Sequence, residues 1–242
     1  MLSKSQIKFV KQLEQKKHRQ REIVFVAEGP KVVGDLLSAG FPPTQLFATQ
    51  EWYQAHIEQS SAVLVTAEEL QKLSFLQHPQ QVLGVFPIPP VSPCKLGAPL
   101  TLALDGIQDP GNLGTIIRIA DWFGIEEIVC SQDTADAWSP KVVQATMGSI
   151  ARVNLTYTDL KEYLTKTSLP ICGTLLDGEN IYQQELPQQA IIVMGNEGNG
   201  ISQPIRPLVT HRLFIPRFRE GAESLNVAIA TAITCSEFCR RF

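Results

Sequence analysis

Short apolar runs alternate with amphipathic stretches along the first 86 residues, and the two patterns have different periods. The runs have strand length and the stretches have helix length. They predict the strands IVFVA, QLFAT, AVLVT and QVLGVF and the helices PKVVGDLLSA, EWYQAHIEQ and AEELQKLS. Thr66 and Glu69 have the spacing of a capping box at the start of the last helix. Residues 1–86 therefore predict a small α/β domain.

Residues 100–242 repeat the alternation with longer elements. The predicted strands are LTLALD, EEIVC, RVNLTY, PICGTLL, AIIVMG and RLFIP, with helical patterns between them and a last helix over 227–238. Ser139 followed by Pro140 is typical of a helix N-terminus. Strand–helix alternation with apolar strands predicts a mainly parallel sheet covered on both faces. Between the two domains, five prolines in residues 87–99 predict a semi-rigid linker.

The first 22 residues form a basic amphipathic segment. Ile7, Val10 and Leu13 recur at helical spacing and predict one helix over residues 5–18. Seven of the 21 Lys and Arg residues lie in the first 21 positions, although the whole chain carries a net charge of −3. A local basic segment can bind phosphates even in an acidic protein, whereas a solvated helix face is the competing interpretation. The candidates for contacts with the phosphates of a nucleic acid are Lys16, Lys17, Arg19 and Arg21.

The five cysteines are scattered and form no CxxC pair, so the sequence predicts no metal site. Reduced thiols and the lack of an apolar signal core at the start are typical of a cytoplasmic protein. No apolar run reaches the length of a membrane span.

Three segments each join a predicted strand to a turn rich in Gly, Asn or Ser, where α/β proteins form ligand sites. They are DGIQDPGNLGTIIRIADWFGI from Asp105, IIVMGNEGNGIS from Ile191 and IPRFREGAESLNVAIATAI from Ile215. Taken singly, each has a structural alternative. Asn112, Ser224 and Asn226 could be helix N-caps, and the Gly-rich turn could be a plain tight turn. Arg118 lies off the apolar stripe of its helix and could be an ordinary surface arginine.

The three segments, in this order and spacing, closely resemble the signature motifs of the SpoU/TrmH family, the RNA ribose 2′-O-methyltransferases of the SPOUT superfamily. The resemblance implies an N-terminal substrate-binding domain and, over residues 100–242, a SPOUT α/β domain with a deep trefoil knot. It also implies S-adenosylmethionine as methyl donor, no metal, and a homodimer through the catalytic domain. The N-terminal domain suggests ribosomal RNA rather than transfer RNA.

The resemblance also assigns roles to single residues. It implies catalytic roles for Arg118, Asn112, Glu197, Ser224 and Asn226, and donor contacts for Thr174, Gly195, Asn196, Gly200, Ile215 and Leu225. Because a guanidinium group is a poor proton acceptor, we expect Arg118 to clamp an RNA phosphate, in its own subunit's site or the partner's. Between Ile215 and Ser224, the loop PRFREGAE is longer and more charged than is usual in the family.

Two other classes of protein compete with this interpretation. A dinucleotide-dependent enzyme would need a strand–GxGxxG–helix unit, and this pattern is absent. A non-catalytic RNA- or ribosome-binding protein could retain the same fold, although the intact set of polar motif residues argues against it.

Overall fold

The computed structural model describes residues 2–56, 61–90, 99–219, 221 and 224–241. Most of the predicted linker, residues 91–98, lies outside the described residues. The chain divides into two compact units. The first unit combines the residues up to Pro90 with Asp136–Ala151. The second combines residues 91–135 with the residues from Arg152 onward.

The N-terminal part of the first unit contains a mixed four-stranded sheet. Its elements are α1 (Lys4–Gln12), α2 (Lys16–Glu22), β1 (Val24–Glu28), α3 (Pro30–Ser38), β2 (Gln45–Ala48), α4 (Gln50–Ala55), β3 (Val63–Leu64), α5 (Ala67–Leu73) and β4 (Val82–Pro87). The strand order is β1-β4-β2-β3, with β4 antiparallel to both neighbours and β2 parallel to β3. The Thr66–Glu69 capping box is present, which confirms the predicted start of α5.

The prediction of one helix over residues 5–18 was wrong, because the chain turns between α1 and α2. Leu13, at the end of α1, is fully buried. The guanidinium group of Arg19 donates hydrogen bonds to the carbonyl oxygens of Leu13 and Glu14, both at 2.6 Å. Carbonyl groups at a helix end need partners outside the helix. Arg19 therefore donates the hydrogen bonds that the next turn of a continuous helix would have donated to these carbonyl groups.

The segment Asp136–Ala151 belongs to the first unit, whereas the sequence placed it in the catalytic domain. Its helix α7 (Pro140–Ala145) begins after the N-cap Ser139, as predicted, and packs on β1. The ring of Trp138 lies 4.9 Å from that of Phe25 between centroids. Asp136 accepts a hydrogen bond from the Arg19 guanidinium group. The segment thus contributes an aromatic contact and a salt bridge to this unit.

The second unit contains a six-stranded, wholly parallel sheet, as the apolar strand patterns predicted. Its elements are β5 (Leu100–Asp105), α6 (Pro110–Trp122), β6 (Glu127–Ser131), β7 (Asn154–Thr158), α8 (Leu160–Lys166), β8 (Ile171–Asn180), β9 (Ala190–Gly195), β10 (His211–Phe214) and α9 (Val227–Cys239). The strand order is β10-β8-β9-β5-β6-β7. Because the strands are parallel, the turns after β5, β9 and β10 all leave from the same edge of the sheet. This arrangement brings the three motif segments to one edge.

Within the described ranges, no helix is long and apolar enough to cross a membrane. The same residues contain no cluster of three or more His, Cys, Asp or Glu side chains that could hold a metal ion.

Candidate functional site

The Gly-rich loop after β9 is held against the turn after β5 by Asn196. Its side-chain amide donates to the carbonyl oxygen of Gly106 (2.7 Å) and accepts from the N–H groups of Gly198 (2.9 Å) and Asn199 (3.0 Å). The backbones of Asn196 and Gly200 also pair in both directions, at 3.0 and 2.9 Å. The loop is therefore a shaped, hydrogen-bonded turn.

Gly195 permits this turn because the backbone doubles back directly over it. A Cβ atom at Gly195 would lie 2.2 Å from the carbonyl carbon of Gly200 and 2.2 Å from the amide nitrogen of Ile201. Backbone atoms cannot move aside as the end of a flexible side chain can. Gly200 adopts φ +68°, in the left-handed region that glycine occupies without steric cost.

A cavity of about 580 Å³ opens beside this loop, within the size range of small-molecule sites. Apolar side chains on its wall include Met194, Leu213 and Val227. Six residues for which the sequence predicted donor contacts all line it: Thr174, Gly195, Asn196, Gly200, Ile215 and Leu225. Ser224 and Glu197, predicted as catalytic, line it too.

The sequence did not single out a pair of charged residues on the cavity wall, Asp177 and Arg206. The carboxylate of Asp177 accepts hydrogen bonds from Arg206 (2.6 Å) and Arg212 (2.5 Å). Desolvation raises the pKa of Asp177, but the arginines lower it further, so the pKa lies below the usual value. The sequence could not indicate this cluster, because Asp177 and Arg212 lie 35 positions apart and meet through the pairing of β8 with β10.

A chain of side-chain hydrogen bonds joins the three motif segments next to the cavity. Asn226 donates to the Asn112 oxygen (2.9 Å), and Asn112 donates to Glu197 (3.0 Å). The Asn226 oxygen accepts from the N–H groups of Ala228 (2.9 Å) and Ile229 (3.3 Å), which fixes the direction of its amide. At the other end of this chain of hydrogen bonds, the ionised carboxylate of Glu197 can only accept, so the nitrogen atom of the Asn112 amide must face it. Both amides are therefore oriented, and each keeps one N–H for a ligand.

Glu197 is ionised at neutral pH. Partial burial raises its pKa, but hydrogen bonds from the Asn112 amide and from backbone N–H groups, including those of Gln108 and Asp109, outweigh that effect. The pKa consequently lies below the usual value for glutamate. The ionised carboxylate therefore accepts from Asn112 and orients its amide.

Of the three candidate N-caps, Asn112 and Asn226 turn out differently. Asp109 caps α6 by accepting from the Asn112 N–H group (2.8 Å), so capping does not account for Asn112. Asn226 does cap α9, as the structural alternative proposed. It caps the helix with its oxygen and contacts Asn112 with its nitrogen, so the two interpretations of Asn226 are compatible.

Comparison with known proteins identifies the family. The family model for SpoU rRNA methylases matches residues 99–236, and the model for an MRM3-like substrate-binding domain matches residues 4–84. The chain belongs to the SpoU rRNA methylase family. The resemblance stated from the motifs is thereby confirmed.

The similarity to members of this family extends over nearly the whole chain. The Bacillus subtilis 23S rRNA (guanosine(2553)-2′-O)-methyltransferase RlmP is 32% identical, covering 94% of this chain and 93% of its own. A TrmH-family protein from Porphyromonas gingivalis is 42% identical and superposes with a TM-score of 0.88, covering 100% of both chains. An AdoMet-bound rRNA methyltransferase from Sinorhizobium meliloti is 30% identical with a TM-score of 0.88, covering 100% of this chain and 96% of its own.

Arg118 of this SpoU-family chain stands apart from the other predicted catalytic residues. It lies on the exposed side of α6 and does not line the cavity. Six residues after Asn112, it is displaced by about 9 Å along the helix and about 240° around it. It makes no hydrogen bond or ion pair with any residue that the structure describes. A single chain thus brings together Asn112, Glu197, Ser224 and Asn226, but not Arg118.

The four predicted RNA contacts in this SpoU-family chain also divide. Lys16, Lys17 and Arg21 are exposed on α2. Arg19 is only 2% exposed, and its two terminal nitrogen atoms bind Asp136 and the two carbonyl groups at the end of α1. The RNA contact predicted for Arg19 was wrong, because its guanidinium group is buried in the protein and cannot reach a phosphate.

Proposed function

We propose that the protein transfers the methyl group of S-adenosylmethionine to a ribose 2′-hydroxyl group of ribosomal RNA. The observation that carries this proposal is the cavity with the chain of oriented side chains from Asn226 through Asn112 to Glu197 beside it. The name of the Bacillus subtilis relative supports the 2′-oxygen of rRNA as acceptor, and the Sinorhizobium meliloti structure supports the donor.

The cavity suits S-adenosylmethionine in size and lining. Its wall offers apolar side chains for the adenine ring, and the backbone at Gly195, Ile215 and Leu225 can bind polar edges of the donor. When bound, the donor supplies a sulfonium methyl group, and no metal is needed for its transfer. We assign donor contacts to the six predicted residues, from Thr174 to Leu225, that line the cavity.

The side chains next to the cavity can position the acceptor and stabilise charge on it. Glu197 holds Asn112, and α9 holds Asn226, so the remaining N–H group of each amide points in a fixed direction. Preorganised donors of this kind stabilise charge developing on an oxygen atom. We assign this role to Asn112 and Asn226, a positioning role to Glu197, and a contact near the reacting centre to Ser224.

Gly195→Ala is expected to weaken S-adenosylmethionine binding by roughly 5- to 150-fold, equivalent to the 1–3 kcal/mol that overpacking typically costs. The added Cβ would collide with the backbone of Gly200 and Ile201, so the loop would have to move. Gly198→Ala is the matched control, because its Cβ would meet nothing closer than the Asn196 side-chain oxygen at 3.5 Å. Isothermal titration calorimetry measures the S-adenosylmethionine affinity of both variants. Equal affinities would mean that the Gly-rich loop does not form part of the donor site.

A homodimer through the catalytic domain would supply the missing arginine. Helix α9 carries apolar residues on all sides, which is typical of a helix buried on all sides. Yet Ile229 on α9 is 52% exposed, and Trp122 on the neighbouring helix α6 is 84% exposed. We propose that a second copy of the chain covers this surface and that Arg118 completes the partner's site by clamping the phosphate beside the target ribose.

The domain boundaries and the knot remain proposals. We propose that residues 1–86 bind the substrate, that residues 87–99 link the domains and that residues 100–242 form the catalytic domain, except that Asp136–Ala151 belongs to the first unit. The families matched at residues 4–84 and 99–236 support this division. The knot has the family resemblance as its support. The cytoplasm remains the expected compartment, although a relative in Danio rerio, rRNA methyltransferase 3A, is mitochondrial.

Methyl transfer is tested with tritiated S-adenosylmethionine and ribosomal RNA from a strain that lacks the gene, followed by mapping of 2′-O-methyl sites. We expect one nucleotide to gain the label, and transfer RNA from the same strain to gain none. Asn112→Leu is expected to bind the donor but transfer no label. RNA binding without any transfer by the wild type would instead favour the non-catalytic alternative.

Replacing Lys16, Lys17 and Arg21 by glutamine is expected to weaken RNA binding and flatten its salt dependence. Each lost phosphate contact reduces the slope of log K against log salt by about 0.7–0.9. The control replaces Lys161 and Lys166 on α8, which are exposed lysines of the second unit. Filter binding between low and moderate salt measures the slopes. If the α2 variant keeps the wild-type slope, these side chains are only a solvated helix face.

A further inference from the structure

We propose that Phe218 stacks on an unpaired nucleobase next to the methylated nucleotide of the RNA substrate. This inference rests on the proposed function and adds to it the conformation of the substrate, a nucleotide in a loop or bulge with an unstacked neighbour. Nothing in the motif residues or in the cavity requires an aromatic side chain at this position.

The exposure of Phe218 is the first observation. The side chain is 96% exposed, the highest value among the large apolar side chains that the structure describes. None of the described aromatic pairs includes it. Leaving a phenylalanine in water forgoes the roughly 1.5–3 kcal/mol that its burial would contribute. The loop therefore presents a flat apolar surface that has no partner in the described part of its own chain.

The charges beside Phe218 indicate the kind of partner. Arg217 and Arg219 flank it in the sequence, and both are exposed. A protein surface that combines an aromatic ring with guanidinium groups is suited to single-stranded nucleic acid, because the ring stacks on a base while the arginines bind phosphates. A purely apolar partner would desolvate the exposed guanidinium group of Arg219 without offering it an acceptor.

The position of Phe218 places this surface at the entrance of the donor site. Ile215, Pro216 and Arg217 line the cavity, as do Ser224 and Leu225 beyond the loop. Two residues of extended chain span at most about 7 Å, so the backbone of Phe218 lies within that distance of Pro216. A base stacked on Phe218 would thus belong to a nucleotide near the one whose ribose faces the cavity.

Stacking explains affinity for an unpaired strand without selecting one base. Every base has a π-face, so aromatic stacking tolerates different sequences, whereas a base inside a continuous duplex is already stacked. Phe218 would therefore distinguish an open RNA structure from a closed helix, and other contacts would choose the nucleotide.

The binding test uses two fluorescein-labelled probes, a ten-nucleotide oligoadenylate strand and an RNA duplex of equal length. Phe218→Ala is expected to weaken single-strand binding by roughly 5- to 150-fold, the range for one stacked base, and to leave duplex binding unchanged. Phe218→Trp is expected to restore it. Arg219→Gln is expected to reduce the salt slope by about 0.7, whereas Phe218→Ala leaves that slope intact.

The catalytic test measures single-turnover methylation of unmethylated ribosomal RNA by the same variants. Phe218→Ala should raise the RNA concentration needed for half-maximal rate and leave S-adenosylmethionine affinity unchanged. Wild-type single-strand affinity in Phe218→Ala would overturn the proposal. So would an equal loss on the duplex, or a change of oligomeric state by light scattering, which would make Phe218 a contact between copies. If the wild type methylates no RNA at all, the proposed function itself fails, independently of the binding result.

Discussion

Arg118→Ala is expected to reduce the single-turnover rate of methyl transfer by about 10²–10³-fold, the typical effect of removing one preorganised donor at a developing charge. Donor affinity should stay at the wild-type value, because Arg118 does not line the cavity. The fold should also be unaffected, since the side chain is exposed and makes no polar contact with the described residues. Arg118→Lys retains the charge but loses the bidentate geometry, so we expect only partial activity.

If the protein forms the proposed homodimer, a mixing experiment tells which subunit uses Arg118. Homodimers of Arg118→Ala and of Asn112→Leu are each expected to retain at most about a hundredth of the wild-type rate. If Arg118 acts in the partner's site, a mixed dimer contains one complete site, and random re-association restores about a quarter of wild-type sites. If Arg118 acts in its own subunit, every site in the mixture lacks one group and no activity returns. A near-normal rate for Arg118→Ala alone would mean that Arg118 is an ordinary surface arginine with no role in catalysis.

Asp136→Ala is expected to lower the free energy of unfolding of the first unit by about 3–5 kcal/mol, the usual cost of leaving a buried charge without its partner. The Arg19 side chain is 3% exposed and that of Asp136 17%. Arg19 would retain only carbonyl oxygens as acceptors, and its buried Nε atom already lacks a partner among the described residues. Glu22→Ala is the control, because it removes the exposed pair with Arg21 and should cost about 0–1 kcal/mol.

The measurement is urea unfolding followed by tryptophan fluorescence in a Trp122→Phe background. The two remaining tryptophans, Trp52 and Trp138, both belong to the first unit, so the signal reports on that unit. Equal midpoints for Asp136→Ala and Glu22→Ala would mean that the Arg19–Asp136 pair adds no stability.

Local signals in the sequence were sufficient for most elements of the fold. The Thr66–Glu69 capping box, the Ser139-Pro140 helix start and the period of each strand depend on residues within one turn of each other. The burial of Arg19 could not be predicted in this way. In the sequence it is one of seven basic residues on an amphipathic segment, and its acceptor Asp136 is 117 positions away.

The candidate site shows the same division between local and distant information. The family resemblance named Asn112, Glu197 and Asn226 separately, but their hydrogen bonds connect positions 85 and 114 residues apart. The sequence left a helix cap open as the alternative for Asn112, yet Asp109, three residues earlier, takes that place. The sequence indicated only that Gly195 belongs to a tight, Gly-rich turn, whereas the structure shows that the backbone of Gly200 lies directly over it.

The assignment of Asp136–Ala151 to the first unit has a consequence for protein synthesis. The ribosome completes residues up to Pro90 well before it reaches this segment, at about 5–20 residues per second. During that interval β1 lacks the helix α7 that packs on it, Phe25 lacks Trp138, and the Arg19 guanidinium group lacks its carboxylate. The N-terminal unit therefore finishes folding only after strands β5 and β6 of the other unit have been translated, and a gene fragment that ends at the proline-rich segment encodes an incomplete unit.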